Sequence, residues 1–168
     1  MRSWIRPFQM AMKSPFSPQS QVGDMNVLVS TESLDPLNEI AEFEAQHLKS
    51  GEVGAAVHFV GTMRDFNEGD PVSEMELEYY PGMTERVLEE LVSQAKDEWP
   101  ILECMIRHRA GSLQPGDPIV LVAVWSAHRG AAFDACRFLI EELKHRAPFW
   151  KRELTDKGSR WVAENTKG

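Results

Sequence analysis

Cysteine is almost absent from this chain: it has two, Cys104 and Cys136, and neither sits in a CxxC pair or a Cys/His run with metal-ligand spacing. That excludes a zinc knuckle and a secreted disulfide framework, and it points to a reducing, cytosolic compartment. Long apolar runs are missing too. No stretch approaches the ~18 to 20 consecutive apolar residues of a membrane-spanning helix, so a soluble protein is expected. There is no Walker loop, GxGxxG, GxSxG or HExxH, which removes nucleotide-triphosphate hydrolysis, dinucleotide binding, the common serine hydrolases and the zincins as first choices. Positive charge is scarce: 18 Lys and Arg stand against 26 Asp and Glu, a formal net charge of -8. An acidic body repels a phosphate backbone at long range, which argues against a general nucleic-acid binder.

The scarcity is uneven. Residues 25–100 carry 17 acids and 4 bases, whereas residues 101–168 carry 8 acids and 11 bases, so the two stretches have net charges of -13 and +3. A local basic site on an acidic body suits a small anionic substrate and excludes long polyanions. With 168 residues, 42% of them hydrophobic, one domain is the default, and a core forms without disulfide or metal.

Residues 1–24 hold three prolines, three bases, one acid and no sustained period, and read as a leader outside the domain of residues 25–168. Met25 opens a strand (MNVLVS). Ser33 or Asp35 caps a helix from Pro36 to Leu48, with Leu37, Ile40, Ala41, Phe43 and Leu48 as its apolar positions. Val53 to Val60 is a strand, Gly61 to Pro71 is loop chemistry, and Val72 to Tyr80 alternates as a half-buried strand. A helix from Thr84 to Trp99 presents Val87, Leu88, Leu91 and Ala95 at spacings of three and four. Ile101 to Ala110 is a strand, Gln114 to Asp117 a turn, and Ile119 to Trp125 (IVLVAVW) a strand buried on both faces. The last helix spans Gly130 to Arg146 with an inner stripe of Phe133, Cys136, Leu139, Ile140 and Leu143, before a closing strand at Phe149 to Leu154. Helices mixed with largely antiparallel strands make the class α+β.

Three places carry candidate chemistry. Ser126-Ala127-His128-Arg129-Gly130 joins the most buried strand to a helix start, where free N–H groups attract phosphate or carboxylate and His128 and Arg129 add donors. The plain alternative is a capping His beside a surface Arg. Lys144 to Arg152 carries four positive charges before the first acid, Glu153. A partly desolvated lysine among cations loses its proton more readily and becomes a nucleophile or base, although a lysine at a helix C-terminus is also favoured by the dipole alone. Arg64, at a strand end in Gly61-Thr62-Met63-Arg64-Asp65, can fork onto a phosphate or pair with Asp65 or Glu68.

At these places the chain resembles the large, catalytic subunits of molybdopterin synthase. The resemblance runs from about Gly54 to Trp161 and rests on Phe59-Val60-Gly61-Thr62-Met63-Arg64, Glu78 to Thr84, Ile106 to Gly111, Pro115-Gly116-Asp117, Ser126 to Arg129, and Lys144 through Glu153, in that order. It implies an α/β hammerhead fold and a homodimer within a heterotetramer. A small ubiquitin-like sulfur-carrier subunit would bind each protomer. The implied reaction moves sulfur from the carrier's C-terminal thiocarboxylate to cyclic pyranopterin monophosphate, forming the dithiolene of molybdopterin. Carried over by position, the substrate-binding residues are Thr62, Met63, Arg64, His128, Arg129, Lys144, Lys151, Arg152 and Glu153, with Lys144 and Lys151 catalytic. Glu153 is expected to orient Lys151 or Arg152, and His108 and Arg109 to be structural or to stand behind the residues that touch substrate. The resemblance implies no cofactor and no metal here, because molybdenum is inserted downstream.

Two other readings compete. A non-catalytic module for a phosphorylated small molecule or a ubiquitin-like tail needs positive charge but no lysine placed at the helix end. An unrelated phosphometabolite enzyme would act without any carrier.

Overall fold

The structure is a computed structural model and describes residues 26–67 and 69–162. The leader expected at residues 1–24 and the strand start expected at Met25 lie outside the described residues. The elements are β1 (Val27–Ser30), α1 (Pro36–His47), β2 (Ala55–Thr62), β3 (Phe66–Asn67), β4 (Asp70–Tyr79), α2 (Met83–Glu98), β5 (Ile101–Arg109), β6 (Gly111–Leu113), β7 (Pro118–Ser126), α3 (Arg129–Arg146), β8 (Phe149–Thr155) and β9 (Gly158–Val162). This is the expected α+β class. Among the described residues no helix is long and apolar enough to cross a membrane.

The first sheet has the order β1-β5-β7-β2, with β1 parallel to β5 and the other pairs antiparallel. Its centre is β7, whose apolar run serves both faces because successive side chains point to opposite sides. Val120, Val122 and Val124 pack with Leu88 and Leu91 of α2 and Leu139 and Leu143 of α3. Leu121, Ala123 and Trp125 pack with Phe43 of α1. Burying each such large side chain contributes roughly 1.5 to 3 kcal/mol of transfer free energy. Trp125 satisfies its one polar atom as it does so: Nε1 donates to Glu44 Oε1 at 2.8 Å, while the ring stacks on Phe43.

The second sheet is built on β4, which pairs with β8 along one edge and with β3 and β6 along the other; β9 follows β8. Here the structure departs from the loop expected at Gly61 to Pro71. β2 continues through Thr62, and Phe66 pairs with Pro71 in a β3/β4 hairpin that turns at Gly69, whose φ of +87° suits a residue without Cβ. The many turn formers marked the turn but hid the two-residue β3 and the first two residues of β4. Two apolar stripes also need correcting. Phe133 is 61% exposed, because α3 buries Ala132, Ala135, Cys136, Leu139, Ile140 and Leu143, and one residue off that stripe is a rotation of ~100° away. Leu37 is 79% exposed and Ala41 is exposed, since α1 meets the sheet through Phe43, with Ile40 and Leu48 partly covered.

Gly54 ties the start of β2 to the end of β7 at one end of the first sheet. Its N–H donates to Ser126 O at 3.0 Å, and a Cβ there would collide with the Ala127 carbonyl oxygen. Gly54→Ala is therefore expected to displace the turn leading into α3 and to destabilise the fold by about 1 to 3 kcal/mol. Differential scanning calorimetry checks this, and an unchanged midpoint would mean that the turn moves aside at no cost.

Candidate active site

A cavity of about 300 Å³ opens where the last turn of α3 meets β8, the end of β2 and the inner face of β4. That is the lower end of the range for small-molecule sites. Three separate elements each deliver a cation to it.

β2 and β7 lose register between Gly61 and Thr62, a bulge that re-aims the chain. Past it, Met63 N–H donates to Asp117 O at 2.9 Å and Met63 O accepts from Gly116 N–H at 2.8 Å. So tied, Met63 turns its side chain into the floor, while its neighbours Thr62 and Arg64 stay exposed at the rim. The Arg64 guanidinium lies 4.9 Å from the centre of the Phe66 ring. Lys144 follows the buried Leu143 in the last turn of α3 and lines the cavity half-buried. Pro148 then stops the helix and β8 begins. Alternation along β8 turns Lys151 and Glu153 inward, opposite Leu77 and Met75 of β4, so both stand over an apolar floor.

The electrostatics follow from that placement. Burial holds the Lys151 ammonium below the usual lysine pKa; Glu153 opposes this, and the cations Lys144 and Arg64 add to it. Glu153 is buried and already engaged: it accepts from Asn67 Nδ2 at 2.8 Å and from Arg160 Nη2 at 3.2 Å. Arg160 in turn holds Asp70 at 3.0 Å. Three cations thus face one carboxylate whose oxygens are taken up by other donors, an arrangement that favours an incoming anion.

The cavity brings together Thr62, Met63, Arg64, Lys144, Lys151 and Glu153 of the residues picked out from sequence. It leaves out three. Arg152 points to the other face of β8, 5.8 Å from the centre of the Trp161 ring, so Glu153 is paired with Arg160 rather than Arg152. His128 and Arg129 stand at the exposed start of α3, whose 18 residues span about 27 Å, with Lys144 near the far end. The His128 side chain makes no capping bond; its backbone N–H donates to Ser126 Oγ at 3.2 Å.

His108, expected to be structural or to stand behind the residues that touch substrate, lies in the cavity wall. Its ring stacks on Phe149 at 3.9 Å between centroids, Nδ1 sits 2.9 Å from Arg109 O, and burial pushes its pKa down to about 4. The usable signal was alternation along β5, which sets His108 on the face of the core residues Cys104 and Ile106. Arg160 was missed because residues beyond Leu154 carry no clear period.

Residues 29–146 match the family model described as MoaE protein. A Pseudomonas aeruginosa protein named molybdopterin synthase catalytic subunit is 50% identical over 138 residues, which cover 82% of this chain and 90% of that one. The crystal structure of molybdopterin synthase from Staphylococcus aureus superposes with a TM-score of 0.72 at 31% identity, covering 81% of this chain and 96% of that one. A Helicobacter pylori complex of subunits 1 and 2 of molybdopterin-converting factor gives a TM-score of 0.69 at 21% identity over 83% of this chain and 92% of that one, which bears on the fold alone. The chain belongs to the MoaE family, the catalytic subunits of molybdopterin synthase.

Proposed function

We propose that this chain transfers sulfur from the C-terminal thiocarboxylate of a small ubiquitin-like carrier to cyclic pyranopterin monophosphate, in the cytoplasm and without a resident metal or cofactor. The observation that carries the reading is the convergence of Arg64, Lys144 and Lys151 on one cavity with an apolar floor. The floor takes the flat heterocycle and the cations take the phosphate. Arg64 holds the cyclic phosphate and the charge that grows on it as the ring opens. Lys144 stabilises the oxyanion at the thiocarboxylate carbon. Lys151, whose proton is loosened by burial and neighbouring charge, carries protons within the site.

The resemblance also gives substrate-binding roles to His128 and Arg129, which a helix length separates from Lys144 of the same chain. A second copy supplies them. Phe133, exposed one turn beyond Arg129, offers that copy an apolar contact at the right end of α3. Each cavity of the homodimer is then completed by the helix start of the neighbouring protomer, with one carrier per protomer.

Mixing the chain with thiocarboxylated carrier and cyclic pyranopterin monophosphate tests the reading: carrier-dependent molybdopterin is expected. No product, despite carrier binding and an active reference enzyme, would favour a binding module. Product without carrier would favour an unrelated phosphometabolite enzyme. In the same assay Arg64→Ala is expected to raise KM about 10- to 100-fold, the worth of one charge-assisted hydrogen bond. An unchanged KM would end the phosphate role.

A further inference from the structure

We propose that His108 is a substrate-recognition residue, whose Nε2 accepts a hydrogen bond from an N–H of the pyranopterin ring while the phosphate sits among Arg64, Lys144 and Lys151. This rests on the reading above and names the group that would distinguish the heterocycle from any other phosphorylated ligand. Along β5, the side chains of Cys104 and Ile106 on the same face are apolar and buried, as is Ala110 just past the strand. An imidazole in such a row costs desolvation that leucine would avoid, unless its polar atoms find partners.

One partner is internal. The Arg109 carbonyl can only accept, so Nδ1 carries the ring hydrogen and Nε2 bears the lone pair. Among the described residues no hydrogen-bond partner reaches Nε2, yet the one buried side-chain N or O atom there without a partner is Arg109 Nε. Nε2 is therefore open to the cavity that His108 lines. With a pKa of about 4, the ring keeps that lone pair throughout the neutral range.

The surrounding side chains make an acceptor valuable. Arg64, Lys144 and Lys151 are donors, the Glu153 oxygens are occupied by Asn67 and Arg160, and the Thr62 hydroxyl stands at the exposed rim. A phosphate needs donors, whereas the N–H edge of a heterocycle needs an acceptor. The imidazole also forms a flat wall with Phe149, at an interplanar angle of 16°.

The test is calorimetric binding of cyclic pyranopterin monophosphate, and of inorganic phosphate, to the full chain as wild type, His108→Phe and His108→Gln, with thermal midpoints alongside. Phenylalanine keeps the stack on Phe149 and removes the acceptor; glutamine keeps an acceptor and removes the ring. Recognition predicts that His108→Phe weakens the pterin ligand about tenfold, leaves phosphate binding unchanged, and is partly rescued by His108→Gln. A purely structural His108 predicts the reverse order, with the phenylalanine variant binding like wild type, and that result would overturn the proposal. If neither variant folds, the Nε2 nitrogen shift of wild-type His108 decides: it moves on adding the pterin ligand and not on adding phosphate, or the proposal falls. A wild type that binds phosphate but not the pterin ligand would instead sink the functional reading itself.

Discussion

Replacing Lys144 by alanine is expected to lower kcat for sulfur transfer by about 10²- to 10³-fold, the usual loss when one donor to a developing oxyanion is removed. The thermal midpoint and the affinity for the carrier stay close to wild type. The side chain is half-buried at the end of α3 and the apolar stripe ends one residue earlier at Leu143, so its removal empties no core position. A second readout ties the loss to the cavity. The positive charge of Lys144 is one of the causes holding the Lys151 pKa down, so Lys144→Ala must raise that pKa. A Lys151 that surrenders its proton less readily moves the rising, acid-side limb of any activity that depends on its neutral form to higher pH. Lysine-selective NMR of Lys151 follows the shift directly. Lys144→Gln, which also removes the charge but keeps a donor, should give the same pKa change with a smaller loss of kcat. Equal turnover by Lys144→Ala would remove Lys144 from the mechanism.

Much of this site was legible because its residues stand where elements end. Arg64 follows a strand that runs into glycine-rich turn chemistry, and Lys144 closes a helix that Pro148 must stop. Lys151 and Glu153 share a face by period two. Those are local signals, and the helices at 36–47, 83–98 and 129–146 were equally local, marked by proline, by stripes at three and four, and by a proline beyond the end. What stayed hidden depends on pairing between distant segments. Nothing near Glu153 says that Asn67, 86 residues away, donates to it, or that β9 brings Arg160 alongside. Nothing near His108 says that Phe149 stacks on it. Phe133 shows the opposite failure: an aromatic on a good helix was given to the core because the window of stripe positions tolerates an error of one residue, which only packing against β2 and β7 resolves.

Two inactive variants mixed together are expected to regain activity. Separately, Lys144→Ala and Arg129→Ala each lose turnover. In a mixed dimer built as proposed, one cavity carries both substitutions, while the other combines an intact Lys144 with an intact Arg129 from the neighbouring protomer. If subunits exchange at random in an equal mixture, half the dimers are mixed and half of their cavities are whole, so roughly a quarter of wild-type activity returns. The separation along α3 drives this expectation: the axial distance from Arg129 to Lys144, about 22 Å, is too long for their side chains to close on one group, so both residues serve one substrate only across an interface. Co-expression with two affinity tags, purification of the mixed species and the carrier-dependent assay give the measurement. Purified mixed dimers should reach about half of wild-type turnover, one whole cavity in two. Mixed dimers as inactive as their parents would end the shared-site arrangement, and an Arg129→Ala parent as active as wild type would place His128 and Arg129 outside the catalytic cavity altogether, as surface residues. Phe133→Glu, which puts a charge on the exposed apolar residue beside them, should then leave activity intact; under the shared-site arrangement it weakens the dimer and the activity falls with dilution.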